Sequence, residues 1–138
     1  MTLDDLTRSY LAKAAVRFDA LQFYLDREGY SDVVREAQEL VELLLKAVLR
    51  AAGVEVPKVN DVSRSLEANR GALPAPIVSK LEEIKRISKR LRKERELSFY
   101  GAEDFVPTQE YDRADAEEAI REAGFVLVAV RKAFEGVS

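Results

Sequence analysis

The stretch RKERELSFYG, Arg92 to Gly101, gathers the residue types in this chain that come nearest to a chemical site. Arg92, Lys93 and Arg95 place three cations within four residues, and a guanidinium can hold two oxygens of one phosphate at once. Ser98 and Tyr100 add two hydroxyls. The stretch has no group that titrates near neutrality, and the whole 138-residue chain contains neither histidine nor cysteine to supply one. General acid–base help contributes about 10²–10⁴-fold to a reaction such as phosphodiester cleavage. A serine hydroxyl titrates too high for that work, and tyrosine has an ordinary pKa of about 10. Arg92 can still stabilise charge on a phosphate.

These residues must be carried by a helix. From Lys80 to Glu96 the chain sets eight cations against four acids, and the apolar residues Ile77, Leu81, Ile84 and Leu91 recur at helical spacing. Extending that register puts Ser88, Arg95 and Ser98 on the inward line, so the core face turns polar toward the C-terminal end. The bland account is a solvated helix face whose cations complement the negative helix end. The functional account is a local phosphate-binding face. Acidic pairs such as Asp4–Asp5, Glu82–Glu83 and Glu117–Glu118 are sequence neighbours that do not share a helix face, and they read as solvated surface.

Four further helical runs surround this one. The first spans about Leu3 to Arg27, with Leu6, Tyr10, Ala14, Phe18, Leu21 and Leu25 in one stripe. The second, capped by Ser31 or Asp32, reaches about Ala52 and stops at Gly53. Its ELVELLLKAVLRAAG segment is apolar over more than half its circumference, which marks the central helix. After a connector containing Pro57, Asn60 or Asp61 caps a short helix ending at Gly71. The basic helix then starts near Pro76 and runs unbroken to about Leu97. The last helix opens on Asp112, with Asp115, Glu117 and Glu118 in its acidic first turns. Its FVLVAV run, Phe125 to Val130, could form a buried strand, but helical flanks and the lack of a second strand to pair with it favour helix. The expected architecture is all-α, an antiparallel up-and-down bundle of four long helices plus one short helix, in a single domain over residues 1–138.

Composition narrows the function classes. Without cysteine there are no disulfides, thiolate nucleophiles or cysteine metal sites, and no metal cluster, cofactor loop or Ser/His/Asp set is visible. A formal net charge of −3 argues against non-specific attraction of the whole chain to nucleic acid or anionic membrane, so any polyanion site is local. The N-terminus carries acids in its first five residues and has no apolar signal-like core, and no apolar run approaches the length of a membrane span. The expected location is the cytoplasm.

An ordered set of residues then resembles a known family. Glu39, Glu42, Leu43, Lys46, Ala47 and Leu49, followed by Gly53, Pro57, Asn60 and Asp61, and later by RELSFYG and EYDRADAEEAIREAGFVLVAV, is similar to the HEPN domain (higher eukaryotes and prokaryotes nucleotide-binding) over nearly the whole chain. The resemblance implies a helical bundle, commonly a homodimer. It also implies pairing with a minimal nucleotidyltransferase as a toxin–antitoxin system, nucleotide or RNA binding, and, in active members, metal-independent ribonuclease activity from an R-x4-6-H motif. Ser98 occupies the histidine position after Arg92, with Lys93 and Arg95 as competing basic members, and Asn60 stands before Asp61 where many relatives have His-Asp. Tyr100 matches the tyrosine to which some partner nucleotidyltransferases add adenylate, so the resemblance makes it a candidate modification acceptor. The alternative for Tyr100 is an aromatic packing residue at a helix end, and Phe99 beside it is expected to fill core. Three functions follow as expectations: a partner-binding HEPN protein with impaired cleavage, an active ribonuclease using Glu94, Glu96 or Tyr100, or a structural dimerisation module.

Overall fold

Asp4 sets the first helix in place by accepting a hydrogen bond from the Thr7 amide at 2.8 Å, which satisfies one of the free donors of the opening turn. The computed structural model, which describes residues 3–56 and 61–137, is all-helical, an antiparallel up-and-down bundle of four long helices and one short one. The long helices are α1 (Asp5–Asp26), α2 (Tyr30–Ala51), α5 (Leu81–Phe99) and α7 (Arg113–Phe134). The short α3 (Val62–Ala68), a 3₁₀ turn at Arg70–Ala72, and the single-turn helices α4 (Ala75–Val78) and α6 (Pro107–Glu110) complete the described elements. Pro57 and Asn60 lie outside the described residues.

Helix α2 occupies the centre, packing against α1, α5 and α7. Val33, Leu40, Leu44, Leu45, Val48 and Leu49 are all buried and point to different sides, as its nearly continuous apolar circumference requires. Each such aliphatic side chain contributes about 1.5–3 kcal/mol on full burial. Helix α7 adds Ala116, Ala119, Ala123, Val126 and Val130, and its small residues allow close approach to α2. The FVLVAV run is helical. Asp112 caps α7 in a capping box, accepting from the Asp115 amide at 2.9 Å while the Asp115 carboxylate accepts from the Asp112 amide at 3.0 Å. Among the described residues, no helix is long and apolar enough to cross a membrane.

Four local expectations are corrected. Thr7, not Leu6, is buried in the first turn of α1, because the helix is capped at Asp4 and its inward line becomes Thr7, Ala14, Leu21 and Leu25. Helix α2 begins at Tyr30, so Ser31 and Asp32 lie inside it and Gly29 is the cap; Glu28, at φ 58°, swings the chain round one residue early. The basic helix is not continuous from Pro76. It breaks at Ser79–Lys80, where the Lys80 amide donates to the Ile77 carbonyl at 3.1 Å in a tightened turn, and Ile77 and Leu81 on either side of the break are both buried. Phe99 does not fill core; it is exposed at the end of α5. Just beyond it, Gly101 takes φ 71°, and a Cβ there would collide with the Phe105 carbonyl, so this tight turn requires glycine.

Candidate functional site

The inward line of α5 is Leu81, Ile84, Ile87, Leu91 and Ser98. Lys89, Arg92 and Lys93 therefore face away from it, and with Asp61 at the start of α3 they line an open depression of about 380 Å³. Helix α3 packs on α5 and brings Asp61 beside Arg92 and Lys89. Asp61 caps α3, accepting from the Ser63 amide at 2.9 Å and its hydroxyl at 2.7 Å. Partial burial would push the Asp61 carboxyl up, but the Ser63 hydrogen bonds and the charges of Arg92 and Lys89 outweigh it and hold the carboxyl below its ordinary value. The depression thus presents three cations around one fixed carboxylate.

The α2 motif supplies the wall behind it. Glu42 lies 4.0 Å from the Arg92 guanidinium and 3.8 Å from Lys46, while Glu39 sits 3.7 Å from Arg95 and 3.1 Å from Arg35. These acids secure the basic end of α5 against the central helix. Arg92 also borders a narrow crevice with Gln38, Glu42 and Ser88. Gln38 is buried, and its Oε1 has no hydrogen-bond partner among the described residues, leaving an acceptor beside Arg92. The sequence motifs do not single out Gln38; the available signal is an amide on the buried line of an apolar helix.

The other cations of α5 are engaged elsewhere. Lys85 bonds Glu67 at 2.7 Å, Arg86 pairs with Glu83 and lies 3.1 Å from Glu122, and Arg90 also binds Glu122. Hydrogen bonds from Arg70 and Lys85 hold the Glu67 carboxyl at about 2. The stretch is therefore several ion-pair clusters, and the cations that line the open depression are Lys89, Arg92 and Lys93.

Ser98 is only 1% exposed and donates to the Arg95 carbonyl at 3.2 Å. Six residues along a helix turn it about 120° from Arg92, so it does not enter the depression. Glu94 accepts a hydrogen bond from the Tyr111 hydroxyl on another side of α5. Burial, and then this bond to the carboxylate, pushes the Tyr111 hydroxyl well above its ordinary value. Tyr100 is 76% exposed, so it is not a packing residue. Its ring meets Phe99 edge-on at 4.8 Å, and the Arg35 guanidinium lies 4.9 Å from the centre of the Phe99 ring. Arg35 also donates to the Arg95 carbonyl at 3.2 Å, so the exposed aromatic pair rests on a fixed cation.

Comparison with known proteins agrees with this architecture. The family described as HEPN domain matches residues 7–133. The crystal structure of TT1696 from Thermus thermophilus is similar in fold, with a TM-score of 0.71 and 21% identity over 94% of this chain and 99% of that one. No curated protein matches the sequence significantly.

Proposed function

Because the chain belongs to the HEPN domain family, we propose that it acts with a minimal nucleotidyltransferase of toxin–antitoxin type, binding nucleotide or RNA phosphate while ribonuclease activity is impaired. The observation that carries this reading is the placement of Ser98: the residue at the family's histidine position is buried and turned away from Arg92. Lys89, Arg92 and Lys93 retain the means to hold phosphate oxygens, since their charges converge on one open depression. With no imidazole in the chain and Glu94 engaged by Tyr111, that depression offers a phosphate electrostatic contact without an evident proton-transfer pair.

The resemblance to family members paired with a nucleotidyltransferase gives Tyr100 its role. Its exposed phenol oxygen would attack the α-phosphorus of ATP on the partner enzyme; pyrophosphate would leave, and the phenolic proton would pass to a base of that enzyme. The protein would act as a homodimer. Size-exclusion chromatography with the nucleotidyltransferase encoded beside it tests the assembly, and a mixture that elutes as two separate proteins refutes it. Incubation of that mixture with ATP, followed by intact-mass measurement of wild type and Tyr100→Phe, tests the modification. An RNA-cleavage assay at high protein concentration should show intact substrate, while titration with labelled RNA should show binding that weakens on Arg92→Ala.

A further inference from the structure

A second surface lies apart from the Arg92 depression and shares no lining residue with it. The break at Ser79–Lys80 separates α4 from α5, and beside it α4 and α7 frame a groove of about 420 Å³. Its carbon surface comes from Pro76, Phe125, Val128 and Ala129, and Val128 is 54% exposed. On α7, Arg121, Phe125, Val128 and Lys132 recur at four, three and four residues, which puts them on one stripe facing away from the core line of Ala119, Ala123, Val126 and Val130. The FVLVAV run is therefore apolar on two sides of the helix, and only one side is consumed by the bundle.

The groove has cations at its margins and no acid in its lining: Arg121 and Lys132 flank the apolar stretch, and Lys80 comes from the opposite wall. The side chains of these three make no hydrogen bond or ion pair with the described residues, unlike Lys85, Arg86 and Arg90 on α5. Arg121 and Lys132 are about 16 Å apart along the helix at 1.5 Å per residue. We propose that this groove docks an acidic amphipathic helix of another protein. About three turns of such a helix fit that span, with aliphatic side chains on Phe125 and Val128 and carboxylates meeting the cations on either side. Charge decides between occupants. A second copy in a two-fold contact would bring the Arg121, Lys132 and Lys80 of one copy against the same set of cations on the other with no lining carboxylate to offset them. A single-headed amphiphile would leave the cation at one end without an anion.

The experiment uses a fluorescein-labelled peptide of about 12 residues with leucines at three- and four-residue spacing and glutamates elsewhere, beside a version with lysine in place of glutamate. Fluorescence anisotropy should show saturable binding of the glutamate peptide to the full chain, weakened about tenfold or more by Val128→Glu and by the double variant Arg121→Glu/Lys132→Glu. The double variant should gain affinity for the lysine peptide. Both substitutions lie at the surface, and unchanged circular dichroism would show that the fold is intact. Three results would overturn the proposal: no saturable binding of the glutamate peptide, equal binding to wild type and double variant, or a wild-type dimer that Val128→Glu dissociates, which would assign the groove to a second copy.

Discussion

Restoring the missing imidazole is the sharpest perturbation of the site. Ser98→His recreates the family spacing after Arg92, so a reading from spacing alone expects ribonuclease activity to appear, with acid–base help of about 10²–10⁴-fold. The structure predicts otherwise. Ser98 is 1% exposed on the inward line of α5 and fits with its hydroxyl on the Arg95 carbonyl. An imidazole there must displace packed neighbours, at a cost of about 1–3 kcal/mol for overpacking. At about 3 °C per kcal/mol for a chain of this length, the melting temperature should fall by about 3–9 °C. Burial would also disfavour the charged imidazolium, and the ring would lie about 120° around the helix from Arg92. Thermal unfolding by circular dichroism and cleavage of a fluorogenic single-stranded RNA measure both consequences on one preparation. A variant that melts like wild type and cleaves RNA at least about 100-fold faster, in a manner abolished by Arg92→Ala, would refute the geometric argument.

Other outcomes follow from the ion pairs and caps. Glu122→Ala should cost about 2–3 kcal/mol in urea unfolding, below the about 3–5 kcal/mol of a fully buried pair because Arg86 and Arg90 keep partial access to water; a change within error would show that the pair contributes nothing. The Asp4 carboxyl is lowered from 3.8 to about 2 by the Thr7 amide and then by Arg50, so its contribution is fully present above about 4 and is lost as pH falls through about 2. Acid titration of Asp4→Asn should therefore lack that part of the wild-type loss of stability between about pH 4 and 2; superimposable curves would exclude it. Asp61→Ala should lower stability by about 1 kcal/mol through loss of the α3 cap while tightening RNA binding, because an anion leaves a ring of cations; weaker binding with the fold intact would count against the depression as a phosphate site.

Much of the bundle was legible because its signals are local. The apolar circumference of α2 identified the central helix, Asp112 began α7, and the polar end of the α5 stripe correctly placed Ser98 inward. The misses arose where tertiary contact overrides a local pattern. Nothing in Ser79–Lys80–Leu81 forbids a continuous helix, and Ile77 and Leu81, four residues apart, would share a buried face without the break, so the apolar pattern carries no signal of it. Phe99 reads as core on hydrophobicity, but seven positions after Arg92 it shares that residue's side of the helix, and Arg35 covers it instead of the core. The convergence of Asp61 with Arg92 was also out of reach, because residues far apart in sequence meet only through the packing of α3 on α5.

The grip of α2 on the last turns of α5 has a consequence for motion. Beyond Leu91, Ser98 is the only residue of α5 that is fully buried, and much of the attachment there comes from Glu39, Glu42 and Arg35. Attraction between partly exposed charges is screened by salt, whereas the aliphatic contacts of Leu81, Ile84 and Ile87 are not. Raising ionic strength should therefore loosen the final two turns of α5 while leaving its first turns anchored, and amide hydrogens near Glu96 to Tyr100 should exchange faster in high salt. Such fraying would loosen the backbone that carries the already exposed Tyr100 without global unfolding, making ionic strength a control on the order of this helix end.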